Sequence, residues 1–282
     1  MKLEGVKKGV MRRKGERLCL FELAAMGITL GVVCFVAAIL LSIVLGGIPH
    51  LGEALRTEEI QFALCLSLYT ATLSTLLCIG IGIPCGYTLA RGKLPFNSLL
   101  QGLIELPLSL PYLVLGMALL ILFSTPLGKA LREGGIPIVF HSNGIILAQF
   151  VVNLPFAIRI IRTEMSKIDP RIDFLAGTLG ASTGQRFWTI TLPKCRVSLL
   201  MTTVLVWSRA LGEFGATLML VGVTRMKTET LPGSIYLNIS TGENGMAMAS
   251  AMMMLIFSAL GLGLTSVCNY RLRLRSRMKK FI

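Results

Sequence analysis

The chain has 282 residues, 54% of them hydrophobic and 15% charged, with a mean hydropathy of +0.73 and a formal net charge of +14. Apolar content on this scale excludes an ordinary soluble domain and indicates a polytopic membrane protein. The charge must then be read from where it falls along the chain.

In chain order the apolar runs cover 20–46, 61–90, 98–124, 142–161, 197–222 and 246–269. Each is close to the ~20 helical residues that cross a hydrocarbon core of about 30 Å. They predict an all-α bundle of six transmembrane helices, because lipid offers backbone amides no partner and the alternating pattern of barrel strands is absent. Seven Lys or Arg lie between Lys2 and Arg17 and six between Arg271 and Lys280, which sets both termini on the cytoplasmic side. With that orientation 22 basic residues fall inside, and only Arg56, Lys129, Arg132, Arg225 and Lys227 fall in outer loops. The basicity therefore marks topology and gives no sign of nucleic acid. The run from Leu23 to Ile48 is too long for a cleaved signal and reads as a retained anchor, so the first span occupies 19–46 behind a basic segment.

No G-x-x-x-x-G-K-[ST] phosphate cradle, H-E-x-x-H or G-x-S-x-G pattern occurs, so neither ATP binding nor hydrolytic chemistry is expected of this chain. His50 and His141 sit at outer span ends as capping candidates. Seven cysteines lack C-x-x-C spacing and read as packing residues, without a metal or redox role.

The stretch from Asp173 to Pro193, between the fourth and fifth runs, is neither apolar enough to span nor irregular enough to be a plain connector. Asp169-Pro170 is a helix start, Ile172, Leu175, Ala176 and Leu179 paint one stripe, and Gly180 ends the piece. Ser182 to Gln185 fits a capping box and opens a second piece carrying Phe187, Trp188, Ile190 and Leu192, which Pro193 is expected to stop. A cytoplasmic helix-turn-helix results. It suits a protein-docking knob and an amphipathic hairpin resting on lipid equally well; a DNA-binding motif is disfavoured by tethering between two spans.

The same residues resemble the permeases of ATP-binding-cassette importers, whose cytoplasmic signature is E-A-A, three residues, Gly, nine residues, I-x-L-P. Here Phe174-Leu175-Ala176, Gly180 and Ile190-Thr191-Leu192-Pro193 keep that spacing, with Phe174 in place of Glu and Leu175 in place of the first Ala. The resemblance implies that Asp173, Phe174, Leu175, Ala176, Gly180, Ala181, Ile190, Leu192 and Pro193 form a coupling loop docked on a separate ATPase. It covers about 61–269, the permease core of a single transmembrane domain over 1–282, with 270–282 as a basic tail. LPLSLPYLVLGMALL (Leu106 to Leu120), with two bending prolines, resembles the third span of molybdate and sulfate permeases; SRALGEFGATLMLVG (Ser208 to Gly222), followed by TETLPGSIYLNISTGE (Thr228 to Glu243), resembles the molybdate and tungstate branch, while sulfate permeases share the R-A-x-G-E-F-G-A core. The implied partners are a second copy of the chain, a cytoplasmic ATPase dimer that holds ATP and Mg, an extracytoplasmic oxyanion-binding protein and membrane lipid. An importer of sulfate or thiosulfate, or an ion-coupled secondary carrier, is the alternative.

Arg209 and Glu213 fall at mid-span, where an isolated charge costs about 2.5–3.5 kcal/mol on insertion scales. At i, i+4 they are expected to neutralise each other, either as a lock between helices or as part of a path with Ser208 and Thr217 as hydroxyl donors. Gln101 and Glu105 are expected to snorkel or bond between helices, Asn153 and Pro155 to kink the fourth span, and the Met246 to Met254 cluster to pack. Arg225, Lys227, Glu229 and Glu243 offer mixed charge for a docking patch on the outside.

Overall fold

The computed structural model describes residues 20–92 and 94–278, with side chains from 21 to 263 apart from Lys93 and Leu127. The basic residues from Lys2 to Arg17, with Lys279 and Lys280, lie outside this range, as do the side chains of Arg271 to Arg277. Every regular element described is helical. Residues up to Leu45 form one unit and Gly46 onward another.

Helix α1 (Leu20–Ala54) is exposed along its apolar length from Phe21 to Ala38. Helix α2 (Glu58–Ala90) has a buried stripe of small residues, including Ser67, Ala71, Ser74, Cys78, Gly82 and Gly86, at helical spacing. It opens with Glu58 and Glu59, carboxylates at the positive end of the helix dipole. Its hydroxyls turn back onto their own helix, Thr70 donating to the Leu66 carbonyl at 2.9 Å and Thr75 to that of Ala71 at 2.7 Å.

The third run forms two helices, α3 (Asn97–Glu105), continued by a 3-10 turn to Ser109, and α4 (Tyr112–Phe123). They meet at 107°, a break far larger than a proline bend within one straight span. Pro107 and Pro111 account for it, since each removes a backbone donor and Pro111 starts the new helix from an extended conformation. Among the described residues five helices are long and apolar enough to cross a membrane, or six if the bent pair is counted as one broken span. After a short outer helix α5 (Pro126–Glu133), α6 (Ser142–Ser166) returns through the membrane, opened by His141, whose ring accepts from the Asn143 amide. Helix α6 packs on α2 through Gly82 and Gly86: a Cβ at Gly86 would fall 2.7 Å from Ile161 Cγ2. Small residues let the two backbones approach where lipid supplies no hydrophobic drive.

Helices α7 (Pro170–Thr178) and α8 (Thr183–Arg186) follow, and a π-wound segment, Phe187–Thr191, carries α8 directly into α9 (Leu192–Leu211). Pro193 therefore does not stop the second piece. The helix from Thr183 to Leu211 is continuous, because the wider π turn before Pro193 makes room for its ring. The fifth run ends earlier than its hydropathy suggests: α9 stops at Leu211, and a separate short helix, α10 (Gly215–Val221), begins after a break. Helix α4 reaches α10 through Gly116, where a Cβ would fall 2.5 Å from the Ala216 carbonyl oxygen. Leu115, Leu119, Ile145, Val152, Leu220 and Val221 close around that contact. Helices α11 (Leu231–Ser240) and α12 (Asn244–Met278) complete the chain, with Met253 packed among Ala54, Ile60 and Ala249.

Candidate functional site

The cytoplasmic hairpin is built from local signals. Asp169 accepts the Arg171 amide at 2.9 Å and opens α7. Its end is a Schellman motif: the Ala181 amide bonds the Ala176 carbonyl and the Gly180 amide that of Gly177, both at 3.0 Å. That closure needs a left-handed residue, and Gly180 supplies it at φ +83°. Ser182 and Gln185 then form a complete capping box, at 3.2 and 2.8 Å.

A residue the sequence reading left unassigned ties the hairpin together. Arg186 donates to the Asp173 carbonyl at 3.1 Å and to Thr183 Oγ1 at 3.2 Å, and stands 3.7 Å from the Asp173 carboxylate. Asp173 also faces Arg91 at 3.5 Å. Its carboxylate is thus turned into the protein, so it cannot replace the glutamate of the signature at a partner surface. Phe174, which holds that position, is 71% exposed, and Leu175, Leu179 and Trp188 are exposed with it, while Ile172, Ala176, Ala181, Ile190 and Leu192 are half-buried and Pro193 is exposed. The hairpin presents an apolar face outward from a rigid base.

Arg91, just past the end of α2, is the second unforeseen residue. It donates to Thr191 Oγ1 at 3.3 Å and lies 5.6 Å from the centre of the Tyr87 ring. Tyr87 meets Phe187 edge-on at 5.0 Å. Beneath them Ile161, Met165, Ile168 and Cys195 form a core shared by α6 and the start of α9.

The break between α9 and α10 overturns the expected ion pair. No Arg209–Glu213 salt bridge forms among the described residues, because the helix that would set them one turn apart ends at Leu211. Glu213 is buried and caps α10 instead, accepting from the Ala216 amide at 2.8 Å, the Thr217 amide at 3.2 Å and the Thr217 hydroxyl. Arg209 turns to neutral groups. Its Nε donates to Asn153 Oδ1 at 3.2 Å, its Nη2 to the Tyr112 hydroxyl at 2.6 Å, and its guanidinium lies 4.5 Å from the Phe156 ring centre. Asn153, assigned from sequence to a kink, is thus an Arg209 partner. Ser208 Oγ is buried and takes no hydrogen bond among the described residues. Gln149 Nε2 reaches the Ala210 carbonyl at 3.0 Å, satisfying an acceptor near the helix end. Nearer the cytoplasm, Arg162 bonds both Gln101 and Glu105, the interhelix bond expected of that pair.

The outer loop differs from the expected charge patch. Arg225 pairs with Glu59 and donates to Asn238 Oδ1, whereas Glu229 is fully buried. Burial pushes the Glu229 carboxyl above the usual carboxylate range, against the opposing pull of Arg225.

Residues 82–274 match the family described as "Binding-protein-dependent transport system inner membrane component". The chain belongs to this family. The permease is 36% identical over 214 residues to the molybdenum transport system permease protein ModB of Mycobacterium bovis, covering 75% of this chain and 81% of that one. It is 35% identical over 189 residues to the sulfate transport system permease protein CysW of Synechococcus elongatus, covering 66% of this chain and 65% of that one. A crystal structure of a bacterial alginate ABC transporter, in complex with an alginate pentasaccharide-bound periplasmic protein, shares the fold: TM-score 0.71 at 14% identity, over 95% of this chain and 97% of that chain. The permease is accordingly a multi-pass cell-membrane subunit that works with a separate ATPase and a binding protein. Hairpin and helix break both lie within the matched residues.

Proposed function

We propose that the permease imports tetrahedral oxyanions, molybdate or tungstate, as a dimer of two identical chains embedded in lipid above two ATPase subunits. The hairpin carries this reading: a rigid cytoplasmic element with Phe174, Leu175, Leu179 and Trp188 exposed is the shape an ATPase groove can grip. One hairpin per chain favours two chains, since a two-fold ATPase has two grooves. ATP and Mg sit on the ATPase, whose closure draws the hairpins together and turns the path outward beneath the loaded binding protein; hydrolysis resets it. Arg209 lines the path and Ser208 adds a hydroxyl beside it. Glu213 and Thr217 hold the helix that shapes it.

Similarity to ModB favours molybdate or tungstate. Similarity to CysW supports a second reading, sulfate, which has the same charge and tetrahedral shape. Vesicles holding the permease with its ATPase, supplied with ATP and loaded binding protein, decide between them. Uptake of molybdate, tungstate and sulfate is compared at matched concentrations, and preference for sulfate would overturn the first reading. Uptake driven by an ion gradient without the ATPase would overturn both.

A further inference from the structure

Helix α2 is long for a membrane crossing. Its 33 residues extend about 50 Å against a hydrocarbon core of about 30 Å. Its cytoplasmic end can therefore stand clear of lipid, and Arg91 follows directly after it. From there Arg91 reaches both halves of the hairpin: Asp173 on α7 at 3.5 Å, and Thr191 at the end of the π-wound segment at 3.3 Å. Tyr87, one turn back on α2, adds the edge-on contact with Phe187. The side chains of Arg91 and Asp173 are only 12% and 20% exposed, so their attraction is poorly screened.

The covalent route from hairpin to bundle is different. The hairpin runs into α9 through the π-wound Phe187–Thr191, whose turns are wider than those of an α-helix and mark a place where helices yield. Chain continuity delivers force to α9 at one end of the hairpin and, through residues 167–169, to α6 at the other, whereas the side-chain contacts deliver it to α2.

We propose that Arg91 is a positioning residue for energy coupling. It clamps the hairpin, with the π-wound segment that follows it, to α2, so that displacement imposed on the hairpin moves α2 as one body with it. The proposal rests on reading the hairpin as the ATPase-docking element. Asp173 retains Arg186 when Arg91 is removed, so loss of the clamp leaves the hairpin's own ties in place.

The test uses the permease assembled with its ATPase and binding protein in proteoliposomes, with imported oxyanion and hydrolysed ATP measured in the same sample. In Arg91→Gln, stimulated hydrolysis stays within about twofold of the unaltered complex while oxyanion imported per ATP falls about tenfold, a change typical of a lost coupling free energy. Arg91→Lys recovers part of the ratio, because it keeps a cation opposite Asp173 but loses the planar guanidinium whose Nη2 meets both Asp173 and Thr191. A second measurement places spin labels at the exposed Thr88 and Thr178, in a background freed of native cysteines. The distance between them stays constant through the nucleotide cycle in the otherwise unaltered complex and broadens in Arg91→Gln.

Unchanged import per ATP in Arg91→Gln overturns the clamp, as does a Thr88–Thr178 distance that shifts with nucleotide when Arg91 is present. If Arg91→Gln does not accumulate in the membrane, the label measurement with Arg91 in place decides alone. Absence of ATP-driven uptake by the unaltered complex is a different result: it overturns the functional reading and the clamp with it.

Discussion

Arg91 and Arg209 each lie close to a helix end, Arg91 beside the hairpin and Arg209 at the far end of α9, and each is held by different chemistry. Arg91 faces a carboxylate, Asp173, which it shares with Arg186. Arg209 has an amide oxygen, a phenol and an aromatic face around it, while the carboxylate four residues on is turned away to cap α10. A cation balanced by a carboxylate binds parts of the protein together. A cation held only by neutral dipoles is oriented with its charge still available to an anion. On the proposed function, the hairpin base suits the transmission of force and the helix break suits a weak meeting with a charged cargo, since conduction fails where a site holds too tightly.

The hairpin is where the comparison can be broken most severely. Gly180 has open space around it, so the harm from Gly180→Trp comes from its φ of +83°, which an L side chain adopts only with strain, and from bulk added at the exposed turn. Uptake by Gly180→Trp should fall by more than about tenfold while the ATPase subunits continue to hydrolyse, the equivalent of more than ~1.4 kcal/mol of lost coupling. Simultaneous assays of uptake and phosphate release check this, and wild-type uptake would remove the hairpin from the mechanism.

Arg209 sharpens the other side. Arg209→Gln keeps polar contact with Asn153 and Tyr112 in reach but removes the free cation, and oxyanion uptake should fall about fivefold to tenfold, within the range of one screened charge interaction of ~1 kcal/mol. Tyr112→Phe, which frees the guanidinium of one acceptor and leaves its charge, should cost less. Initial uptake rates at saturating ATP give the order. Equal losses in the two variants would mean that Arg209 only fastens α4, α6 and α9 together.

These two regions also differ in how far they were legible in the sequence. The hairpin's signals lie within a few residues of one another: Asp169 before Pro170, Gly180 after two turns of stripe, Ser182 three before Gln185. Capping chemistry is local, so the spacing alone predicts the helices and the turn. What ties them down is not local. Arg91 reaches Asp173 across 82 positions of sequence, and nothing near either residue announces the other. Pro193 misled because proline stops an α-helix, whereas the π-wound residues ahead of it accommodate the ring. At mid-membrane the i, i+4 argument assumed a continuous helix through Gly212 and Gly215. Gly212 instead ends α9 and Gly215 begins α10.

Glu213 tests whether the break is a structural element in its own right. Glu213→Ala removes the acceptor for two amides and a hydroxyl at the start of α10, a loss typical of an N-cap deletion and worth about 1 kcal/mol. Thermal unfolding of the purified permease should shift down accordingly. Glu213→Gln, which keeps an acceptor but no charge, should recover part of the shift. If Glu213 instead balanced Arg209 electrostatically, Gln and Ala would be equally damaging.

The smallest effect concerns Glu229, the counterpart of Arg209 on the outer side: an acidic group buried near an arginine that is already paired with Glu59. Burial favours its protonated form, so its folded pKa lies above the unfolded value of about 4.3. Stability from a carboxyl shifted in that direction is fully present below the unfolded pKa and is lost as pH rises through the folded one. Residues 223–231 should therefore open more readily near neutral pH than near pH ~5, once intrinsic exchange rates are corrected. Amide exchange across that segment measures the change, and Glu229→Gln, which stays neutral throughout, should flatten it. A profile that remains equally pH-dependent in Glu229→Gln would show that Glu229 is not its source.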